Sequence, residues 1–345
     1  MENRSAWLIE QGKLEIRNIA VPEPQDDEVV VRVEYVGVCG SDMHFYETGC
    51  YSKGPIPFPH ILGHECAGVV TKCGKKVDSL RVGDRVALEP GAACGQCEQC
   101  KSGKYNLCHH VQFKSVPPYH GVLCDYVAHK ASLCFPIPDG MSTMEGALIE
   151  PFSIGLHAAK QAGVSFGKCA VILGAGCIGM MTMLACRAMG ATKIIAVDIF
   201  DSRLKRAKEL CADETINSRT EDCAARVHAL TGGLDADIVF ETAGSPVTLK
   251  MAAPLCKSAG VIMMVGNIFG EVSFNFWEIA HREIDLRGIY RYCNDYPTAI
   301  ELAAQKRVDL CGMVTDICDF EDVDAAFRRA IQDKEHTLKS VIRLV

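Results

Sequence analysis

Through the first half of the chain, apolar residues come in short alternating or β-branched runs. The segments DDEVVVRVEYVGVCGSD, ECAGVVTKCG, VGDRVALEP and VLCDYVAHKASLCFPIP are broken by Gly, Pro and Asp, the pattern of an all-β barrel with long loops. From about Ser165 the rhythm changes. KCAVILGAGCIGMMTMLACRAMGATKIIAVDIF reads as an apolar strand, a Gly-rich turn, a small-residue helix and a second apolar strand ending at Asp198, which is a βαβ unit. SRLKRAKELCA reads as a helix and ADIVFETAG as a strand. SPVTLKMAAPLCKSAG then predicts a helix closed by Gly260, and VIMMVGNIFG a strand. This alternation predicts a doubly wound parallel sheet. The last segments, YPTAIELAAQKRV and FEDVDAAFRRAIQDKE among them, mix strand and helix and can return to the first domain.

A chain of 345 residues suggests about two domains at roughly 150 residues each. A net charge of −7, from 36 basic and 43 acidic residues, argues against nucleic acid or an anionic membrane as partner and makes a small molecule the default. No stretch approaches the ~18 consecutive apolar residues of a membrane span, and MENRSAWLIEQGKLEIRN has no apolar run behind a basic start, so a cytoplasmic protein is expected. Nineteen cysteines, an odd number without small-scaffold spacing, predict reduced thiols.

The glycines of GAGCIG, Gly174, Gly176 and Gly179, follow a strand and open a helix, with Asp198 at the end of the next strand. Glycines there allow a tight turn and close approach of backbone to a pyrophosphate, and the helix N-terminus supplies oriented N–H groups. A carboxylate at the second strand's end binds ribose hydroxyls and repels a 2′-phosphate, which favours NAD over NADP. Arg203, five residues on, can stack on adenine or tolerate a phosphate.

Two sets of metal donors stand out. Cys94, Cys97, Cys100 and Cys108 place four thiolates on one Gly/Lys-rich loop, enough to close a tetrahedral zinc shell with no vacant position. A closed shell does no chemistry. VCGSDMH gives Cys39, Ser41, Asp42 and His44, LGHECAG gives His64 and Glu65, and LIEPFSIG gives Glu150. A thiolate, an imidazole and a carboxylate leave the fourth zinc position to water or substrate.

These features together resemble the zinc-dependent medium-chain dehydrogenases, and within them the sorbitol and xylitol (polyol) dehydrogenases. The likeness runs through GVCGSDMHFYETG, ILGHECAGVV, VGDRVALEPG, CGQCEQCKSGKYNLC, EGALIEPFSIGLHA, GAGCIGM and GIYRYCNDYP. The resemblance implies a Rossmann domain, residues 156–291, inserted into a mainly-β GroES-like catalytic domain made of 1–155 and completed by 292–345. It implies that Cys39, His64 and Glu65 face a catalytic zinc, with Glu150 on it directly or through its water. Glu150 stands where the alcohol dehydrogenases of the superfamily carry a second cysteine ligand, and which of Glu65 and Glu150 touches the metal stays open. Ile178, Asp198, Arg203, Val265, Gly266, Asn267 and the Ile289-Tyr290-Arg291 segment are expected to line the cofactor. Phe45, Tyr46, Phe113, Arg291 and Tyr292 are expected to border the substrate together with Glu150. Several polyol enzymes have a tyrosine at position 45, so here one hydroxyl contact is lost or is taken over by Tyr46.

The expected reaction is reversible oxidation of a sugar alcohol to a ketose, with NAD as hydride acceptor and two zinc ions per chain, one catalytic and one structural. Ser41 and His44 resemble the superfamily's hydroxyl-to-imidazole proton relay, and Asp42 is expected to orient the other nitrogen of His64. The resemblance also implies a homotetramer or homodimer. Two alternatives are a dehydrogenase for a phosphorylated polyol or a 3-hydroxy amino acid, and a non-catalytic nucleotide-binding protein on the same fold. The second predicts damaged zinc ligands, and all four stand intact.

Overall fold

A computed structural model describes residues 2–345, which divide into two compact units. The first holds the chain up to Glu150, then Tyr296–Gln305 and Val314–Val345; the second holds Pro151–Asp295 and Lys306–Met313. The return to the first unit is therefore interrupted, since Lys306–Met313 packs with the second. One tie is Arg206, whose guanidinium Nε donates to the Gly312 carbonyl at 2.7 Å.

The first unit is built on a seven-stranded sheet. Its path runs Cys134–Pro136, Arg85–Leu88, Glu65–Cys73, Glu28–Gly37, Ser340–Arg343, Asp316–Asp319, with Tyr126–Lys130 also pairing on Glu28–Gly37. The valine-rich strand Glu28–Gly37 is central because it is apolar on both faces: Val29, Val31, Val33 and Val36 all enter one core with Leu62, Val70, Phe320 and Phe327. Its antiparallel register sets Gly37 opposite Glu65 on one neighbour and opposite Val341 on the other.

Beyond this strand the pattern-based reading needs correction. The run DDEVVVRVEYVGVCGSD is not strand throughout: the strand ends at Gly37, and a helix follows at Gly40–Thr48, with Cys39 extended at its N-cap (φ −91°, ψ 150°) and Gly49 ending it at φ 66°. The two glycines punctuate the run, and Gly49 takes the left-handed conformation that closes a helix.

The second unit is a six-stranded parallel sheet. Its spatial order is Glu214–Asn217, Lys193–Asp198, Cys169–Leu173, Ala236–Glu241, Cys256–Met264, Asp285–Gly288. Numbered along the chain this is 3-2-1-4-5-6, the doubly wound order, with its switch point between Cys169–Leu173 and Ala236–Glu241. Here too one boundary moves. The helix expected to close at Gly260 spans Pro246–Leu255, and Gly260 lies inside the strand Cys256–Met264. Pro254 fits the end of a helix and not its continuation, and Cys256 already pairs with Ala236. Among the described residues no helix is long and apolar enough to cross a membrane.

Candidate metal centre and dinucleotide site

In the first unit, the helix N-cap supplies Cys39, the turn before the strand Glu65–Cys73 supplies His64, and the strand's first residue is Glu65. Their ligand atoms all lie within 4.8 Å of one another. Gly63 makes the turn at φ 91°, a conformation that strains any residue with a Cβ. Thiolate, imidazole and carboxylate converging on one point suit zinc, and three donors leave a position open. Glu150, buried in the first turn of the helix Ile149–Ala162, does not join the donors at this spacing.

His64 is clamped from behind. Its Nδ1 lies 3.0 Å from Asp42 Oδ2, which leaves Nε2 as the metal-facing nitrogen, as expected of Asp42. Asp42 is itself fully buried and accepts a short hydrogen bond from Ser115 Oγ. Burial works against its charge, but His64, Ser115 and the Gly63 amide hold its carboxyl below the usual range. Burial likewise opposes a proton on His64, yet Asp42 and Cys39 outweigh it and raise the imidazole well above its ordinary pKa. The residues present therefore suit a cation. The Phe113 ring covers the imidazole, with centroids 5.5 Å apart.

Ser41 Oγ points to Cys39 Sγ at 3.4 Å, and His44 lies exposed on the same helix. Phe45 is buried in the unit's core beside Tyr46. The Tyr46 hydroxyl donates to Asp324 at 2.9 Å and its ring packs on Phe327, 5.4 Å away. The helical register that exposes His44 turns Tyr46, two residues on, into the core. The sequence reading also missed two residues, one touching a donor's partner and one touching a donor. Ser115 braces Asp42, and the buried Lys339 pairs with Glu65 Oε2.

The four cysteines of the loop form the second cluster. Cys97 and Cys100 Sγ are 3.5 Å apart, and Cys94 and Cys100 Sγ 4.0 Å. These bracket the edge of about 3.8 Å expected of a tetrahedron with Zn–S bonds near 2.3 Å, so the residues fit a zinc ion. Amides of Gln96 and Cys97 bring the Cys94 thiol down to about 6, whereas desolvation and Cys97 push Cys100 up to about 12. The loop starts and ends in a two-stranded ribbon, Gly91–Ala92 against Gln112–Phe113, and is tied down by Tyr105, whose hydroxyl donates to Glu89 at 2.7 Å. No cysteine among the described residues is in a disulfide.

In the second unit, the turn after Cys169–Leu173 is shaped for close backbone approach. Gly174 has φ 102°, and a Cβ there would meet Ala243 at 2.9 Å; one at Gly179 would overlap the Gly174 carbonyl. Gly176 caps the helix Cys177–Ala188, whose first turn carries Ile178. Asp198 receives the Ala175 amide at 2.7 Å and the Ile199 and Phe200 amides at 2.7 and 3.0 Å. Arg203 lies 3.9 Å from that carboxylate, and the Phe200 ring is flanked by Arg203 and Arg219, each 5.2 Å from its centroid. Arg219 carried no signal in the sequence. A cradle that any Cβ would fill, beside a helix N-terminus and an acid, fits a dinucleotide.

Opposite this turn, the Val265 and Gly266 amides both bond the Glu241 carbonyl, and a Cβ on Gly266 would collide with Gly244, which itself packs on Asn267. Glu241, a second residue missed from sequence, is wholly buried, its Oε1 held by the Ala243 amide at 3.0 Å and Thr248 Oγ1 at 2.7 Å. Farther along, Ile289 bonds the Met264 carbonyl, Tyr290 is exposed and stacked under Arg291 (4.8 Å), and Tyr292 is buried.

Residues 25–139 match the family described as Alcohol dehydrogenase GroES-like domain, and residues 177–305 the family described as Zinc-binding dehydrogenase. The chain is 45% identical, over 100% of its length and 99% of the relative's, to an uncharacterised zinc-type alcohol dehydrogenase-like protein of Escherichia coli. It is 41% identical to the sorbitol dehydrogenase of Bacillus subtilis, covering 98% of this chain and 96% of that one. The crystal structure of an Escherichia coli oxidoreductase of unknown specificity superposes with a TM-score of 0.97 at 45% identity, over 100% of both chains. The chain belongs to the zinc-dependent medium-chain dehydrogenases and, within them, to the polyol branch that holds the sorbitol dehydrogenases. It is thus an oxidoreductase, with a GroES-like domain and a Rossmann domain, of a family that works with zinc and a nicotinamide dinucleotide.

Proposed function

We propose that the protein oxidises a secondary hydroxyl of a sugar alcohol to the ketose with NAD, reversibly. The observation that carries this reading is the convergence of Cys39, His64 and Glu65, a three-donor set with a carboxylate and no second thiolate. Likeness to sorbitol dehydrogenases supports the polyol as substrate. When bound, zinc supplies a Lewis acid for the substrate hydroxyl, and the nicotinamide supplies the hydride acceptor.

The chain's own residues do the rest. Asp42 fixes the ring of His64, and Phe113 shields it from water. Ser41, against Cys39, takes the hydroxyl proton, and the exposed His44 passes it to solvent. Glu150 is a buried carboxylate for orienting a further hydroxyl. Asp198 repels a 2′-phosphate and so favours NAD, with Arg203 and Arg219 moderating that preference. Nineteen cysteines, none in a disulfide among the described residues, suit a reducing compartment such as the cytoplasm. The exposed Phe276 and Trp277, just ahead of the edge strand Asp285–Gly288, support a homo-oligomer.

The test is purified protein with sorbitol, xylitol, ribitol, galactitol and threonine, each with NAD or NADP. NADH from at least one polyol is expected. Threonine as the sole substrate, or no turnover with two zinc ions present per chain, overturns the reading.

A further inference from the structure

The ion pair of Lys339 and Glu65 arises from three neighbouring strands. Gly37 ends the central strand, with Glu65 across from it on one side and Val341 on the other. Lacking a side chain, it leaves a slot: a Cβ there would fall on Glu65 Oε2 and within 3.1 Å of Lys339 Cε. Through this slot Lys339 reaches Glu65, 274 residues earlier in the chain, and its Nζ also donates to the Val38 carbonyl at 2.9 Å. The two side chains are 2% and 1% exposed. An ammonium so enclosed has no solvent to turn to, so its hold on one carboxylate oxygen is fixed.

A carboxylate can meet a metal through one oxygen or through both. If Glu65 used both, together with Cys39 and His64 it would fill a tetrahedral zinc shell and leave no place for substrate. We propose that Lys339 is a positioning residue that reserves Glu65 Oε2, so that the carboxylate offers the metal only Oε1 and one coordination position stays open. This rests on the reading of Cys39, His64 and Glu65 as metal donors. It does not depend on which alcohol is oxidised.

The experiment compares Lys339→Met and Lys339→Arg with wild type in the full chain, reading metal release to a chromophoric chelator and the visible spectrum after cobalt(II) replaces the zinc held by Cys39, His64 and Glu65. Lys339→Met frees Oε2. Zinc release is expected to slow by roughly tenfold, the size of effect that groups orienting metal ligands have, the cobalt bands to shift as Oε2 takes the fourth position, and kcat to fall with little change in KM. Lys339→Arg presents a fork that matches both carboxylate oxygens, so release is expected to quicken instead. Opposite signs are the signature of the proposal. Release shifting in the same direction for both variants, or a wild-type cobalt spectrum in a folded Lys339→Met protein, overturns it. Should Lys339→Met fail to fold, Lys339→Arg decides alone, and unchanged or slower release refutes the proposal. A wild-type protein that holds metal but oxidises no polyol refutes the substrate assignment and leaves these metal readouts standing; a wild type with no metal on Cys39, His64 and Glu65 refutes both.

Discussion

Replacing Asp42 with asparagine isolates the charge behind the metal-facing histidine. Asn is nearly isosteric, so its oxygen can still accept from His64 Nδ1, at 3.0 Å in the wild type. The amide nitrogen then faces Ser115 Oγ, and that hydroxyl can rotate from donor to acceptor. The bonds with His64 and Ser115 are kept; the carboxylate charge, which the Gly63 amide also supports, is lost. Charge-assisted hydrogen bonds are about twice as strong as neutral ones, a net difference of roughly 1–2 kcal/mol. At 1.4 kcal/mol per factor of ten, zinc affinity should fall by about 5- to 30-fold at pH 8.

The pH dependence gives a second readout. Burial lowers the His64 pKa, but Asp42 and Cys39 outweigh it and raise the pKa above the usual value, so a proton competes with zinc for the imidazole. Wild-type affinity should therefore climb by about tenfold per pH unit for each proton released, up to the His64 pKa. Without the Asp42 charge His64 is less basic, so Asp42→Asn should flatten this slope and lose least affinity at pH 6. Competition with a chromophoric chelator across pH 6–8 measures both quantities. An Asp42→Asn protein with unchanged affinity at pH 8, or with the wild-type slope, would show that the Asp42 charge does not act on the metal through His64.

The metal-free protein should be stabilised by the same imidazole. A raised histidine contributes fully below its unfolded value of about 6.5 and loses that contribution as pH rises through the folded value, so the stability lost by chelator-treated His64→Gln relative to wild type, read by melting, should be larger at pH 6 than at pH 9. Gly37→Ala places a Cβ on Glu65 Oε2. It should cost about 1–3 kcal/mol of stability as overpacking does, together with most of the catalytic zinc, by thermal melting and metal analysis. Asp198→Ala removes the acid beside Arg203 and Arg219; kcat/KM with NADP should rise while that with NAD falls by roughly tenfold, and an unchanged ratio would place the ribose elsewhere. Glu241→Leu removes the acceptor of the part-buried Ala243 amide and of Thr248 Oγ1, and should weaken cofactor binding more than Glu241→Gln does.

What was legible in the sequence was local. Four cysteines on one loop and three glycines in one turn announce themselves by spacing, and both constellations form in the structure. His64 and Glu65 were found because they are adjacent, and Cys39 because it shares a short segment with Asp42. The missed groups act over long separations: Lys339 reaches Glu65 across 274 positions, and Ser115 reaches Asp42 across 73. A single lysine ahead of a strand, or a serine in a polar loop, looks like ordinary surface until the sheet register brings it in. The helix Gly40–Thr48 was hidden for a different reason. Its residues have no marked amphipathic pattern, and three buried side chains, Asp42, Phe45 and Tyr46, follow tertiary contacts and not a sequence stripe.

The ribbon that closes the four-cysteine loop has a consequence for how the two metals are lost and gained. Its second strand ends at Phe113, the ring lying on His64, and two residues later comes Ser115, the donor to Asp42. The loop's thiolates thus fix the frame that holds the imidazole, and by thermodynamic linkage each ion should raise the protein's affinity for the other. Metal loading should then be cooperative: stripping the loop ion, as in Cys97→Ser, should hasten departure of the second ion while the fold still holds. On this reasoning the four cysteines, without chemistry of their own, would act as a latch on the second site.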